Sequence, residues 1–131
     1  MNINYFFSLS AIFAVIIVPI CFLFLIIRRN NKLSKELGLK PVYQENCGGV
    51  FDGMDYTKPF VRLTIYNDFL VISYIKKILL YWSDIKDVSV YTGLFSKGVK
   101  IIHNRSNIPT SIILWPNNAA RLQEILKSKM I

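Results

Sequence analysis

Cysteine, histidine and paired carboxylates are the residues that could do chemistry in this chain, and their spacing offers little. Its 131 residues hold two cysteines, Cys21 and Cys47, and one histidine, His103. A Cys–His pair for nucleophilic catalysis is arithmetically open, yet no motif surrounds either residue. A zinc centre needs four ligands at recognisable spacing, and these are missing from the sequence. No Gly-x-x-x-x-Gly-Lys loop is present to cradle a phosphate. Asp52, Asp55, Asp68, Asp84 and Asp87 are scattered. Asp52 and Asp55 flank Gly53, where aspartate commonly serves a turn by bonding local backbone. Gly48, Gly49 and Gly53 read as turn glycines. We therefore expect no enzyme, no cofactor and no metal, with Cys47 a small buried apolar residue. Cys21 and Cys47 fall in different parts of the chain, so no disulfide is expected, which suits a reducing compartment.

The elements around these residues are of two kinds. Phe6–Ile27 is 22 residues without a charge. As a helix it would span roughly 33 Å, enough to cross a hydrocarbon core of about 30 Å. Tyr5, Phe6 and Phe7 mark one end, where aromatic rings favour a membrane interface. Arg28, Arg29, Lys32 and Lys35 follow the other end. A cleaved signal peptide would place positive charge before its apolar core and a small-residue cleavage site after it. This chain does neither. The positive-inside bias puts the N-terminus outside and the remainder in the cytoplasm. Asn104-Arg105-Ser106 matches a glycosylation acceptor, but on that side it would not meet the modifying machinery. The chain divides into residues 1–27, a transmembrane helix; 28–44, a basic juxtamembrane linker; and 45–131, one small domain. The linker basic residues set topology and are attracted to anionic headgroups at about 1 kcal/mol each.

Beyond Gly48 the apolar period becomes two. Val61, Leu63 and Ile65 alternate with Arg62, Thr64 and Tyr66, as in a half-buried strand. Asn67-Asp68 reads as a tight turn and Phe69–Tyr74 as the return strand. Lys76-Lys77 forms a turn before Ile78–Trp82. Further strands are read at Gly49–Asp52, Val88–Tyr91, Val99–His103 and Ser111–Trp115. Ala119, Leu122, Ile125 and Leu126 then share one face of a final helix, with Asn117 or Asn118 as its cap. About seven short antiparallel strands and one amphipathic helix need to bury one face each. The economical answer is a partly open barrel plugged by the helix. The fold class is thus a single transmembrane α-helix followed by a mainly-β domain of α+β type.

Three stretches resemble the pleckstrin-homology-like family, in particular its small bacterial-type members. They are the hairpin Val61–Ile72, the segment Ile78–Val88 with its Trp82-Ser83-Asp84-Ile85 corner, and Ser111–Leu114 followed by the helix Asn117–Lys129. At the corner, Tyr81 or Trp82 would fill the core, Ser83 and Asp84 would bond local backbone, and Ile85 and Val88 would return inward. The resemblance implies a binding module that docks a protein on an open strand edge or beside the helix. Some members bind phosphoinositides through basic residues of the first hairpin. The matching region here offers Lys58 and Arg62, beside Asp52 and Asp55. The alternative reading is therefore direct contact with anionic lipid, with Lys58, Arg62, Lys76, Lys77, Lys97 and Lys100 as candidate headgroup contacts. The chain's net charge of +8 also raises nucleic acid. Part of that charge is spent on topology and the rest is dispersed, which argues against it.

Overall fold

The computed structural model describes residues 3–131. Met1 and Asn2, and the side chains of Phe6 and Phe7 placed above at an interface, lie outside the described residues. Helix α1 runs from Ile3 to Asn30 and is long and apolar enough to cross a membrane. No residue of its most apolar stretch is buried by the rest of the chain. Pro19 lies inside it without ending it. Membrane helices tolerate proline because neighbouring groups re-satisfy the backbone.

Seven strands follow: β1 (Tyr43–Phe51), β2 (Met54–Ile65), β3 (Phe69–Ser73), β4 (Lys77–Tyr81), β5 (Ile85–Thr92), β6 (Lys97–His103) and β7 (Ile112–Trp115). Helix α2 closes the chain at Ala119–Lys129. The strands form one sheet in the order β4-β3-β2-β1-β7-β6-β5, and every pairing is antiparallel. This is the half-barrel and terminal helix expected from the alternation. Strand β1 begins at Tyr43, within the segment read as linker.

Strand β1 joins the two halves. Tyr43–Cys47 pairs with the end of β2, and Gly48–Phe51 pairs with β7. The register slips between Cys47 and Gly49, so Thr57–Phe60 of β2 bulges away. Gly48 is thus a strand residue, not a turn residue. A Cβ there would come within 2.8 Å of the Tyr56 carbonyl oxygen, so only glycine fits the close approach. The true turn is Asp52-Gly53, with φ of 49° and 85°, the left-handed pair that suits a two-residue hairpin.

Leu63, Ile65, Leu70, Ile72, Ile78 and Leu80 fill the inside of one half, and Val99, Ile101, Ile112 and Leu114 the other. Leu122 and Leu126 of α2 plug the space between, fully buried. Asn118 caps α2, its side chain accepting from Arg121 N at 3.1 Å. At the Trp82 corner, Asp84 Oδ2 accepts the Tyr81 amide at 3.0 Å, and Ile85 and Val88 return to the core as expected. Trp82 packs partly on that core and donates to Asn67 O at 2.7 Å, while Tyr81 packs on the opposite face of the sheet.

Replacing Leu122 by alanine should cost about 2–5 kcal/mol, the usual range for emptying a closed apolar site. Denaturant unfolding of the full chain in detergent micelles, followed by tryptophan fluorescence, measures it.

Candidate functional site

Strand β3 is buried at all five positions. Alternation sends only half of them into the barrel, so something covers the outside. The cover is the end of α1 and the segment after it. Outward-facing Tyr66, Phe69 and Val71 pack with Leu33, Leu79 and Tyr81. Above this apolar tier lies a polar one: Arg62 and Thr64 of β2, Ser73 of β3, and Lys77 of β4.

Arg62 is the centre of that tier and is only 2% exposed. Its Nη1 donates to Glu36 Oε1 at 2.8 Å and to Thr64 Oγ1 at 2.6 Å. Its Nη2 donates to Glu36 Oε2 and to Asn31 O, both at 3.2 Å. Its Nε donates to Arg29 O at 3.1 Å. A guanidinium has five donors, and all five are used. Glu36 is filled as completely. Beyond Arg62 it accepts from the Leu33 amide at 2.7 Å and the Tyr66 hydroxyl at 3.1 Å. Burial pushes the Glu36 carboxyl up, but the bonds from Arg62 and Leu33 outweigh it and hold the group below its ordinary value. Burial, then the adjacent Glu36 charge, pushes the Tyr66 phenol up.

The carbonyls at the end of α1 carry the negative pole of the helix. Arg62 and Lys77 meet them. Lys77 Nζ donates to Arg28 O and, at 2.8 Å, to Ser73 Oγ. Burial, with Arg62 and Arg28 nearby, draws the Lys77 ammonium below its ordinary value. In the other direction, Arg28 reaches Ile75 O at 3.2 Å and Arg29 reaches Pro59 O at 2.8 Å. Phe22 packs edge-on against Phe60, with ring centroids 5.2 Å apart.

These contacts redistribute the basic residues expected to face lipid. Arg62 does not face solvent: the helix end and Glu36 enclose it. Lys77 is half-buried, not on an open turn, because it closes the α1 terminus. Arg28 is drawn onto the β3–β4 turn and Arg29 onto the bulge of β2. Lys35 bonds the Tyr81 hydroxyl and lies over that ring. Lys32, Lys58, Lys76 and Lys97 are exposed and Lys100 is half-buried, the last two on β6. Lys58 Nζ donates to Asn117 Oδ1 at 2.7 Å. Lys76 and Lys77 border a cleft of about 340 Å³ whose lining also includes Asp52. That carboxylate works against an anionic occupant.

His103 and Cys47 are held in local hydrogen bonds and packing. His103 Nε2 lies 2.7 Å from Pro109 O, and its Nδ1 accepts from Arg105 N at 3.0 Å, pinning the loop between β6 and β7. Cys47 is fully buried, and burial pushes its thiol up to about 12. Among the described residues, no three His, Cys, Asp or Glu side chains gather as metal ligands would.

No protein-family model matches the chain, and no curated protein does. Among solved structures, the chain is similar to the crystal structure of the C-terminal domain of an unknown protein from Leishmania infantum. The two share 15% identity, with a TM-score of 0.58, over 73% of this chain and 88% of that one. At that identity the likeness concerns the fold alone. The curled antiparallel sheet with its terminal helix is consistent with a pleckstrin-homology-like fold.

Alanine at Arg62 or at Glu36 should each cost about 3–5 kcal/mol, because the partner is left buried without its counter-charge. The stabilisation from Glu36 is present above the ordinary carboxylate range and is lost as pH falls through its lowered native value. Hydrogen-exchange protection over residues 31–42, taken relative to the intrinsic rate at each pH, should therefore fall on acidification in the native chain. In Glu36→Gln this pH response should be absent.

Proposed function

We propose that the chain is a single-pass membrane protein. In this reading its pleckstrin-homology-like domain serves as an interaction module on the cytoplasmic face and binds a protein partner. The observation that carries the reading is an open edge. Among the described residues strand β5 ends the sheet and pairs only with β6, and α2 takes one of its carbonyls, Val88 O, through Gln123 Nε2 at 3.3 Å. Val90 and Tyr91 on it are 38% and 40% exposed, and α2 lies alongside. An edge strand offers unpaired backbone groups to an added strand, and neighbouring side chains supply selectivity. The family resemblance supports docking at such an edge or beside the helix. The helix supplies the membrane address and raises the module's effective concentration toward other membrane components. Arg28, Arg29, Lys32 and Lys35 support the cytoplasmic side for the domain.

Direct binding of anionic headgroups is the second reading. Exposed Lys32, Lys58, Lys76 and Lys97 favour it, and electrostatic attraction acts over a Debye length of about 8 Å. The enclosure of Arg62 and Lys77 weakens it as a specific site.

Alkaline washing should leave the full chain in the membrane pellet. A photocrosslinker at Val90 should give a discrete protein adduct in native membranes, and one at exposed Lys127 should not. Adducts to lipid alone, together with retention that requires acidic lipid and is lost in Lys76→Glu, would favour the second reading instead.

A further inference from the structure

The turn between β5 and β6 carries two apolar side chains with almost no protein cover. Leu94 is 95% exposed and Phe95 is 99% exposed. The turn is nevertheless defined, with the Gly93 amide donating to Ser96 O at 2.9 Å. Tyr91 and Trp115 meet edge to face at its base, 5.8 Å between centroids. Lys97 follows directly and is exposed. Apolar tip, aromatic base and adjacent lysine match the layers of a bilayer surface, where tyrosine and tryptophan favour the interface and lysine the headgroups.

The position of the turn relative to α1 points the same way. Phe22 lies five residues before Ile27, roughly 7 Å inside the apolar stretch along the helix axis. It touches Phe60, so with α1 read as a span the β2 bulge Thr57–Phe60 would stand close to the bilayer boundary. Ser96 of the turn borders the same cleft of about 300 Å³ as Thr57, Lys58 and Trp115. The turn is thus the neighbour of a segment that packs against α1. The headgroup layer on each side is only about 5–7 Å deep.

We infer that Leu94 and Phe95 form a second, shallow membrane contact, inserted at the headgroup–acyl boundary of the bilayer that α1 crosses. The inference rests on the reading of α1 as a membrane span. Two anchors, one deep and one shallow, would fix the tilt of the half-barrel and so the direction in which the β5 edge faces.

The test uses the full chain with Cys21→Ser in nanodiscs of phosphatidylcholine and phosphatidylglycerol. Buried Cys47 stays unlabelled. Single cysteines at Phe95, at Lys127 on the exposed face of α2, and at Ile16 within α1 carry an environment-sensitive fluorophore. Phe95 and Lys127 are surface positions whose replacement leaves the core intact. The label at 95 should be quenched by lipid-borne nitroxide near the headgroups, and quenched severalfold less by aqueous iodide than the label at 127. The label at 16 should be reached only by a nitroxide deep in the acyl chains. If 95 behaves like 127 while 16 stays deep, the second contact is overturned and the span stands. If 16 is open to iodide, the span fails and the second contact with it. If 95 is shielded only in native membranes and not in pure lipid, a protein covers the tip and the inference is overturned.

Discussion

A buried guanidinium organises this molecule. Arg62 projects from near the end of β2, on the face turned away from the barrel. There it holds Glu36, the carbonyls of Arg29 and Asn31, and Thr64 at once. Lysine could not replace it, since its three donors do not form a planar fork. The helix end brings carbonyls with no helical partner, and the sheet brings a buried guanidinium and a half-buried ammonium. Each satisfies the other. A buried ion pair is a weak source of net stability, but it is a strict one, because any shift leaves a charge unpaired. The pair holds the segment after α1 on the outward face of β2, and the bonds from Arg62 to the Arg29 and Asn31 carbonyls hold the helix end beside it.

Much else follows from that attachment. The segment after α1 becomes the outer layer of the half-barrel, which is why β3 is buried on both faces. Phe60 comes to rest against Phe22, and the β3–β4 turn and the β2 bulge are held at the helix end. A domain fixed in this way is held to α1 through β2 and β3. A flexible tether would leave all orientations open.

The elements were largely legible in the sequence. The period of two across Val61–Ile65 and the apolar face of Ala119, Leu122, Ile125 and Leu126 each announce a buried side, and the structure has both. Gly48 and Gly49 misled, because a glycine at a strand bend and one at a turn look alike in isolation. The fate of Arg62 was not legible. Alternation places it outward beside Thr64 and Tyr66, and an outward arginine reads as solvent-facing unless a cover is known. The cover comes from residues 28–36, where Glu36 is the lone acid in a basic stretch. That isolation was a usable hint that Glu36 neutralises something specific. Lys77 escaped for the same reason, since its partner is a backbone carbonyl that no residue type reveals.

Whether the helix and the half-barrel move as one body is the most direct question to put to this account. Nitroxides at Ile20 on α1 and Lys86 on β5, in the full chain with Cys21→Ser in nanodiscs, would report the distance distribution between them by pulsed electron resonance. One narrow distribution, broadening when Arg62 is replaced by methionine, is the predicted result. A broad distribution in the unaltered chain, unchanged by that replacement, would contradict it.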